Sequence, residues 1–478
     1  MATKTANSLG GLRAHRSRNT RPSHVLAIVC AGMVLANLDL FIVNVALPDI
    51  SRDFGNASLE DLSWILNGYA IVYAALLVFF GRLAERYRRN ASFLLGIAIF
   101  TAASAACSAA NSVEALVAFR LVQAAGAALM TPTSLGLLLA SYPPERRGGA
   151  VRTWTAIGGL ASALGPVVGG LLVTASWRWI FIVNVPIGLA ALLIGWWKLP
   201  EVPGHDVPRP DAWGAVLVTV GVGALTFGLV KTADWGWASI GVGASLGLAA
   251  VFLASFVIHC LRASNPLVEP ALFRIRNFTG ASLVAAPFSV AFGAMLLSIV
   301  LWEQGVWGWS ALKTGLAIAP GPLLVPIVSL LVAGRLIARF GAAAVIAAGI
   351  ACFAAGGVWW ALAATPEPSY VTVIGGMILI GVGVGLTLPT LMGTASGSLP
   401  PSAFATGAGV INMIRQTGLA VGVAVLVAIL GTPGSLAEHV AAFKLAWLVM
   451  AAIVAVGLIP ALLLLRPKQA LAASPTSA

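Results

Sequence analysis

The chain has 478 residues, 59% of them hydrophobic and only 9% charged, with a mean hydropathy of +0.95. Soluble domains carry about 25% charged residues, so this composition excludes a water-solvated globule, and its apolar content excludes a disordered chain. The net charge of +12 would suggest nucleic acid in a soluble protein; at the cytoplasmic ends of membrane helices the same cations need no such partner.

A helix crossing the hydrocarbon core needs about 20 apolar residues. After a polar, basic tail over 1–23, spans are predicted near 24–46, 62–80, 91–110, 113–140, 151–173 and 179–198. The first is too long for a signal-peptide core and reads as a retained span. The stretch 199–211 holds prolines at 200, 203, 208 and 210 and reads as a polar linker. Two Gly-rich spans follow near 211–230 and 238–261, then six more near 279–302, 313–333, 342–363, 370–393, 407–430 and 443–465. The fold class expected is therefore all-α and integral to the membrane, with 14 transmembrane helices.

Lys and Arg orient these spans. With the N-terminus inside, 21 fall on the cytoplasmic side and five outside (Arg52, Arg178, Lys231, Lys313, Lys444), while Arg120 and Arg415 lie within spans. That bias puts both termini in the cytoplasm. Trp177, Trp179, Trp235, Trp237, Trp307 and Trp309 fall at predicted outer loops or span ends, where indole rings favour the headgroup level. The four cysteines lack ligand or disulfide spacing, and no metal, haem or nucleotide motif appears. An enzyme is therefore not expected, and neither a metal nor a bound cofactor is called for.

An internal repeat sits in two predicted cytoplasmic turns. Gly81, Arg82, Leu83, Arg86 and Tyr87 match Gly334, Arg335, Leu336, Arg339 and Phe340 as G-R-L-x-x-R-aromatic. The motif falls at the same place if spans one to six and nine to fourteen are copies of one unit. Repeated bundles with a site between them near mid-membrane are the plan of secondary transporters. The expected organisation is a tail (1–23), a six-helix bundle (24–198), a linker with an inserted helix pair (199–270), a second six-helix bundle (271–466) and a tail (467–478).

Ionisable groups inside spans are functional candidates by default. Asp39 and Arg120 each lie about eight residues from an outer span end, roughly 12 Å deep at 1.5 Å per residue. At equal depth they can pair, either as a proton-exchanging site or as a permanent ion pair that fixes helix packing. Asp39 is the only acid well inside a span. Glu303, at the outer end of the ninth span, reads as a solvated span-end carboxylate, with cation loading as the alternative. Arg415 has no acid at its depth and needs Asn412, Gln416, carbonyls, phosphate or water; it either lines a wet cavity or snorkels. Asn44 and Gln123 join these as candidates for the cavity. In the fifth span Gly165, Pro166, Gly169 and Gly170 combine a bend with close backbone approach, as a pivoting helix requires.

Five ordered segments carry a resemblance: Asp39 to Pro48 with Asn44, the loop 81–89, Arg120 with Gln123 and Gly126, Gly165 to Gly170, and Trp177 to Pro186 with Asn184. Together with Asn412, Arg415, Gln416 and Gly418, the chain resembles the major facilitator superfamily, in its fourteen-helix drug:proton antiporter branch. The resemblance implies a proton-responsive role for Asp39, proton transfer for Arg120, and a conformational latch at Gly81, Glu85, Arg86 and Arg89, with Gly334, Arg335 and Arg339 as its second copy. It also implies export by an antiporter helix at Gly165–Gly170. The chain departs from the family pattern at Glu85, Arg88 and Ala124, where Asp, Gly and Gly are usual.

The expected function is a proton-coupled exporter of amphiphilic, apolar or weakly cationic small molecules, monomeric, embedded in the lipid bilayer of a bacterial inner membrane, with protons as the coupling ion and with neither nucleic acid nor nucleotide as partner. A substrate:proton symporter, a dedicated exporter of one metabolite or antibiotic, and a non-transporting membrane protein are the alternatives.

Overall fold

The structure, a computed structural model, describes residues 21–55, 57–203, 208–399, 404–432 and 434–465. The two predicted tails lie almost wholly outside the described residues. The first series of helices is α1 (Pro22–Asp53), α2 (Leu59–Arg86), α3 (Arg89–Ser108), α4 (Val113–Ser141), α5 (Pro144–Val173), the single turn α6 (Trp179–Ile182) and α7 (Asn184–Lys198). Next come α8 (Ala212–Trp235) and α9 (Ile240–Arg262), then α10 (Arg276–Leu301), α11 (Ala311–Ile318), α12 (Pro320–Ile327), α13 (Gly334–Ala363), α14 (Tyr370–Gly397), α15 (Phe404–Leu430), α16 (Leu436–Val456) and α17 (Leu458–Leu464).

Local chemistry starts many of these helices. Ser58, Ser112, Asp211, Ser239, Ser310, Ser369 and Ser435 each accept a hydrogen bond from the backbone N–H three residues on. That satisfies one of the four donors a helix start leaves open. In lipid no water would do so.

Among the described residues, twelve helical stretches are long and apolar enough to cross a membrane. One of them, Ala311–Ala363, is 53 residues long. Its backbone leaves helical geometry at Gly341, with φ 82° and ψ 160°, a conformation that favours glycine. The apolar part of α5, Ile157–Val173, is shorter than these twelve.

The order in which helices pack repeats along the chain. In the first series α3 lies on α4, α1 on α5, α2 on α4, and α7 on both α1 and α3. In the second, α13 lies on α14, α10 on α15, α12 on α14, and α16 on both α10 and α13. Small residues allow the matching approaches. A Cβ on Gly165 or Gly169 would meet Phe41 or Ile42 of α1 within 3 Å, and one on Gly418 or Gly422 would meet Ser289 or Ala294 of α10 equally closely. The two series meet along two seams, α2 against α15 and α5 against α11 and α12.

The inserted pair lies outside this arrangement. α8 packs on α2 and α15, with Lys231 paired to Glu60 and Trp64 6.1 Å from Phe227. Only 11% of the apolar stretch of α9 is buried, so it covers α8 and otherwise faces outward. Asp211 holds the pair to its linker by accepting from the N–H groups of Gly214 and Leu267, both at 2.9 Å.

Two expectations need correction here. The repeated G-R-L-x-x-R motif is helical in both copies rather than in turns: 81–86 ends α2 and 334–340 begins α13. The chain breaks only after the motif, at Tyr87–Arg88 and at Gly341, because the arginines supply side-chain length and the helix itself can continue through them. Three of the six tryptophans assigned to headgroup level are buried instead. Trp177, Trp307 and Trp309 are under 9% exposed and pack on Phe54, Trp302 and Tyr370, respectively, because aromatic neighbours compete with the interface for the same rings.

Candidate functional site

Five helices bring polar side chains to one point inside the first series. Asp39 comes from α1, Tyr69 from α2, Ser104 from α3, Arg120 and Gln123 from α4, and Asn184 from the first residue of α7. Arg120 and Gln123 are three apart on a helix and so share a face. Asp39, Ser104, Arg120, Gln123 and Asn184 have no exposed surface.

Asp39 and Arg120 form an ion pair through Oδ2 and Nη1. The same Nη1 donates to Gln123 Oε1 at 2.7 Å, and Nε donates to the Ile65 carbonyl at 3.3 Å. The guanidinium lies over the Tyr69 ring at 4.1 Å. Asp39 Oδ1 accepts from Gln123 Nε2 at 2.9 Å and from Asn184 Nδ2 at 3.0 Å. Both amides also donate to Ser104 Oγ at 3.1 Å, and that hydroxyl donates to the Phe181 carbonyl at 3.0 Å. Taking two charges out of water costs several kcal/mol per ion, on the order of the attraction regained, so such a pair persists only when hydrogen bonds satisfy what remains. Here both carboxylate oxygens are satisfied; Arg120 Nη2 is not.

The unsatisfied Nη2 marks the way out of this network. Arg120 borders a cavity of about 30 Å³ together with Asn67 and Asn44. Both amide atoms of Asn67 are buried without a hydrogen-bond partner among the described residues. A space of that size, with several polar groups around it, suits a water molecule. It shares Phe41, Asn44 and Leu296 with a larger cavity of about 180 Å³ between the two series. The larger one is walled by α1, α5, α10, α12, α14 and α15, with Phe41, Phe292, Met295, Ile299, Met377 and Ile380 giving it an apolar surface and Asn44, Ser162 and Arg415 its polar groups.

The cavity candidates from the sequence therefore separate. Asn44 and Arg415 line the cavity. Asn412 stands behind Arg415, its Oδ1 accepting from Nη1 at 3.2 Å. Gln416 is 8% exposed and lies outside the lining, and Gln123 belongs to the Asp39 network. Glu303 is the correction. It is neither solvated nor in the cavity wall: its exposure is zero, and among the described residues neither carboxyl oxygen has a hydrogen-bond partner. The cause is the π-helical turn Trp302–Val306 that ends α10. An extra residue in the turn rotates side chains relative to a regular helix, and Trp302 anchors it among Trp307, Phe443 and Trp447. The adjacent Gln304 donates to the Val45 carbonyl of α1 at 3.0 Å, joining the two series beside this turn.

The glycine-proline run of α5 faces both neighbours. Gly165 and Gly169 lie against α1; a Cβ on Gly170 would meet Leu312 Cα of α11 at 2.8 Å, and one on Gly315 would meet the Pro166 backbone. Pro166 itself lines the cavity. α5 and α11 thus close this end of the cavity by backbone-to-backbone contact.

At the latch, Gly81 packs toward Pro132 of α4, and the Arg89 stem lies against Gly136. Arg86 is in the last turn of α2; the side chain of Glu85 lies outside the described residues. The residue that reaches across is Arg82, donating to Asn265 Oδ1 at 2.6 Å and to Glu269 Oε1 at 2.7 Å, in the segment that leads into α10. In the second copy Gly334 has open space, Arg335 donates to its own helix at Leu331 and Arg339 lies over Phe340. Asn184, Ser104, Tyr69, Asn67 and Arg82 are the site residues that sequence reasoning did not assign. Asn184 and Arg82 had a signal, the first as part of the Trp177 to Pro186 segment and the second as part of the G-R-L-x-x-R repeat.

The family described as Major Facilitator Superfamily matches residues 29–423 and 283–478. The chain is 32% identical over 437 residues to the tetracenomycin C resistance and export protein of Streptomyces glaucescens, covering 90% of this chain and 80% of that one. It is 32% identical to the cephamycin export protein CmcT of Amycolatopsis lactamdurans, covering 88% and 89%, and 35% identical to the multidrug resistance protein Stp of Mycobacterium tuberculosis, covering 84% and 74%. Among solved structures, an auto-inhibited POT family peptide transporter superposes with a TM-score of 0.67 at 17% identity, covering 93% of this chain and 98% of that one, which establishes a shared fold. A bacterial homologue of the lysosomal transporter Spinster, inward-facing and unoccupied, also gives 0.67 at 15% identity, covering 92% and 97%. The chain is a multi-pass membrane transporter, not an enzyme, and it belongs to the Major Facilitator Superfamily.

Proposed function

We propose that the protein is a proton-driven exporter working by alternating access, with the Asp39–Arg120 pair as its coupling site. The observation that carries this is a buried acid-base pair separated from the inter-series cavity by one water-sized space. The relatives named for export and drug resistance support the outward direction. In this reading the chain crosses the bilayer fourteen times. The 53-residue run counts as two crossings hinged at Gly341, and α5 counts as one. Residues 24–198 and 271–466 are then two six-helix halves joined through 199–270, acting as one monomeric unit in the inner membrane with both termini in the cytoplasm.

Protonation of Asp39 removes the counter-charge of Arg120. The guanidinium keeps Gln123, the Ile65 carbonyl and the Tyr69 ring but loses its tie to α1. α1 in turn packs against α5 and α10, which wall the cavity. A proton at Asp39 therefore loosens the helix that positions the seam. The cavity of about 180 Å³ is smaller than the ~300–1,000 Å³ of drug-sized ligand sites, so loading requires the halves to part. The Gly170–Leu312 contact is the closed periplasmic end, and Arg82 with Glu269 lies on the cytoplasmic side.

The test is transport in proteoliposomes holding the full chain under an imposed pH gradient, read with a fluorescent aromatic dye. Wild type is expected to move dye against the proton flow, and Asp39→Asn to retain dye binding while losing at least tenfold of the gradient-driven rate. Undiminished gradient-driven transport by Asp39→Asn removes that residue from the coupling scheme. Dye and protons moving the same way make the protein a symporter.

A further inference from the structure

We propose that the substrate carries an acidic group, a carboxylate, phenolate or enolate on an apolar frame, and that Arg415 is the residue that binds it. This rests on the export reading above and narrows its substrate class. The charge inventory of the cavity carries the inference. Arg415 is half-buried in the cavity wall, and its Nη1 donates to the neutral Asn412. No carboxylate is found among the described residues that line the cavity.

The two acids nearest in depth are not available to balance it. Asp39 is fully enclosed, with Arg120, Gln123 and Asn184 occupying its two oxygens. Glu303 is sealed in its π-helical turn away from the lining. Among its described lining residues the cavity therefore presents a guanidinium with no counter-charge, in a largely apolar, membrane-embedded space where charge interactions are far stronger than in water. A cation entering it meets repulsion with no counter-charge. An acidic head instead completes a charge-assisted, two-pronged hydrogen bond with the planar fork. Asn44 adds an amide on the α1 wall, and Ser162 a hydroxyl on the α5 wall, while the Phe, Met and Ile side chains cover the frame. Exchange of one proton inward for one monoanion outward moves two positive charges inward, so an inside-negative potential drives the cycle.

The experiment uses the purified full-length protein and dye binding by fluorescence anisotropy, with fluorescein as the anionic probe, rhodamine 123 as a cationic probe on the same xanthene frame, and Nile red as a neutral one. Wild type is expected to bind fluorescein at least tenfold tighter than rhodamine 123. Arg415→Gln is expected to weaken fluorescein at least tenfold while leaving Nile red within twofold, and Arg415→Lys to recover part of the loss. Equal binding of the two xanthenes, or an Arg415→Gln variant that loses all three dyes alike, overturns the proposal. The same dyes in proteoliposomes separate the two readings. Anion-selective binding without gradient-driven transport defeats export alone, whereas equal transport of both xanthenes defeats the acidic-substrate inference alone.

Discussion

Asn184 donates to the same oxygen of Asp39 that accepts from Gln123, and so leaves the second oxygen free for Arg120. The amide thereby fixes which carboxylate oxygen faces α4. It also ties the start of α7 to α1, since Asn184 is the first residue of that helix.

Asn184→Ala is expected to destabilise the protein by about 1.5–3 kcal/mol, the usual worth of a hydrogen bond to a charged group. Thermal unfolding in detergent measures this. Because the carboxylate loses an orienting partner, gradient-driven transport falls as well. Asn184→Asp, which puts a second acid beside Asp39, should be worse than Ala on both measurements.

The Asp39–Arg120 pair makes a non-additive prediction. Removing one partner of a buried pair leaves the other charge uncompensated and costs about 3–5 kcal/mol. Asp39→Asn and Arg120→Gln are each expected to lower the thermal midpoint strongly, and the double variant to be more stable than the sum of the two losses by about 2 kcal/mol or more. Transport stays absent in the double variant. Additive midpoints would contradict a direct pair.

At the seam, the same chemical change has opposite consequences at two glycines of α5. A Cβ at Gly170 meets the backbone of α11, whereas one at Gly159 meets open space. Gly170→Ala is expected to cut transport at least tenfold at matched expression, because backbone atoms cannot step aside as a flexible side chain can. Gly159 borders the cavity, where a methyl group takes little of its volume and touches no neighbour, so Gly159→Ala should remain within about twofold of wild type, with a small gain in helix propensity. Initial transport rates decide between them.

Asp211 gives a pH dependence outside the membrane spans. Burial raises its carboxyl, but the Gly214 N–H, His259 and the Leu267 N–H together outweigh burial and hold it below the ordinary carboxylate value. A carboxyl depressed in the folded state contributes stability that is complete above its unfolded value, near about pH 4, and is lost as pH falls through the lower folded value. Asp211→Asn is expected to cost roughly 1–2 kcal/mol at neutral pH, as for other caps, and nothing once the carboxyl is protonated. Thermal midpoints of both proteins across an acid series should converge at the acid end.

Much of the helix layout was legible beforehand because a bilayer leaves few choices. Backbone groups must be satisfied within the segment, so each apolar run of sufficient length became helix, and Ser and Asp at the run starts became caps. That Asp39 and Arg120 could pair was legible for a related reason, since the rise per residue puts both about equally far from an outer span end, and the structure has them in an ion pair. Glu303 was not. Its position at a span end implied solvent, and a π-helical turn with a tryptophan cluster around it produced burial instead. The repeat motif was placed in turns for a similar reason, because a Gly–Arg motif near a span end is compatible with either a turn or the end turns of a helix.

What the sequence by itself determined is the class of molecule and the order of its apolar helices, properties of one-dimensional pattern. The tertiary structure alone decided which polar groups meet. Asn184 reaches Asp39 from 145 residues away in the chain and bonds Ser104 across 80, and Tyr69 meets Arg120 from a different helix; only packing brings them within hydrogen-bond or ring-contact range. It also decided the charge of the cavity. Among the described residues that line it, Arg415 is the charged one, because Asp39 is enclosed by Arg120, Gln123 and Asn184 and Glu303 is walled off. Pairing and enclosure depend on side-chain direction across helices, and no periodicity along one helix records that.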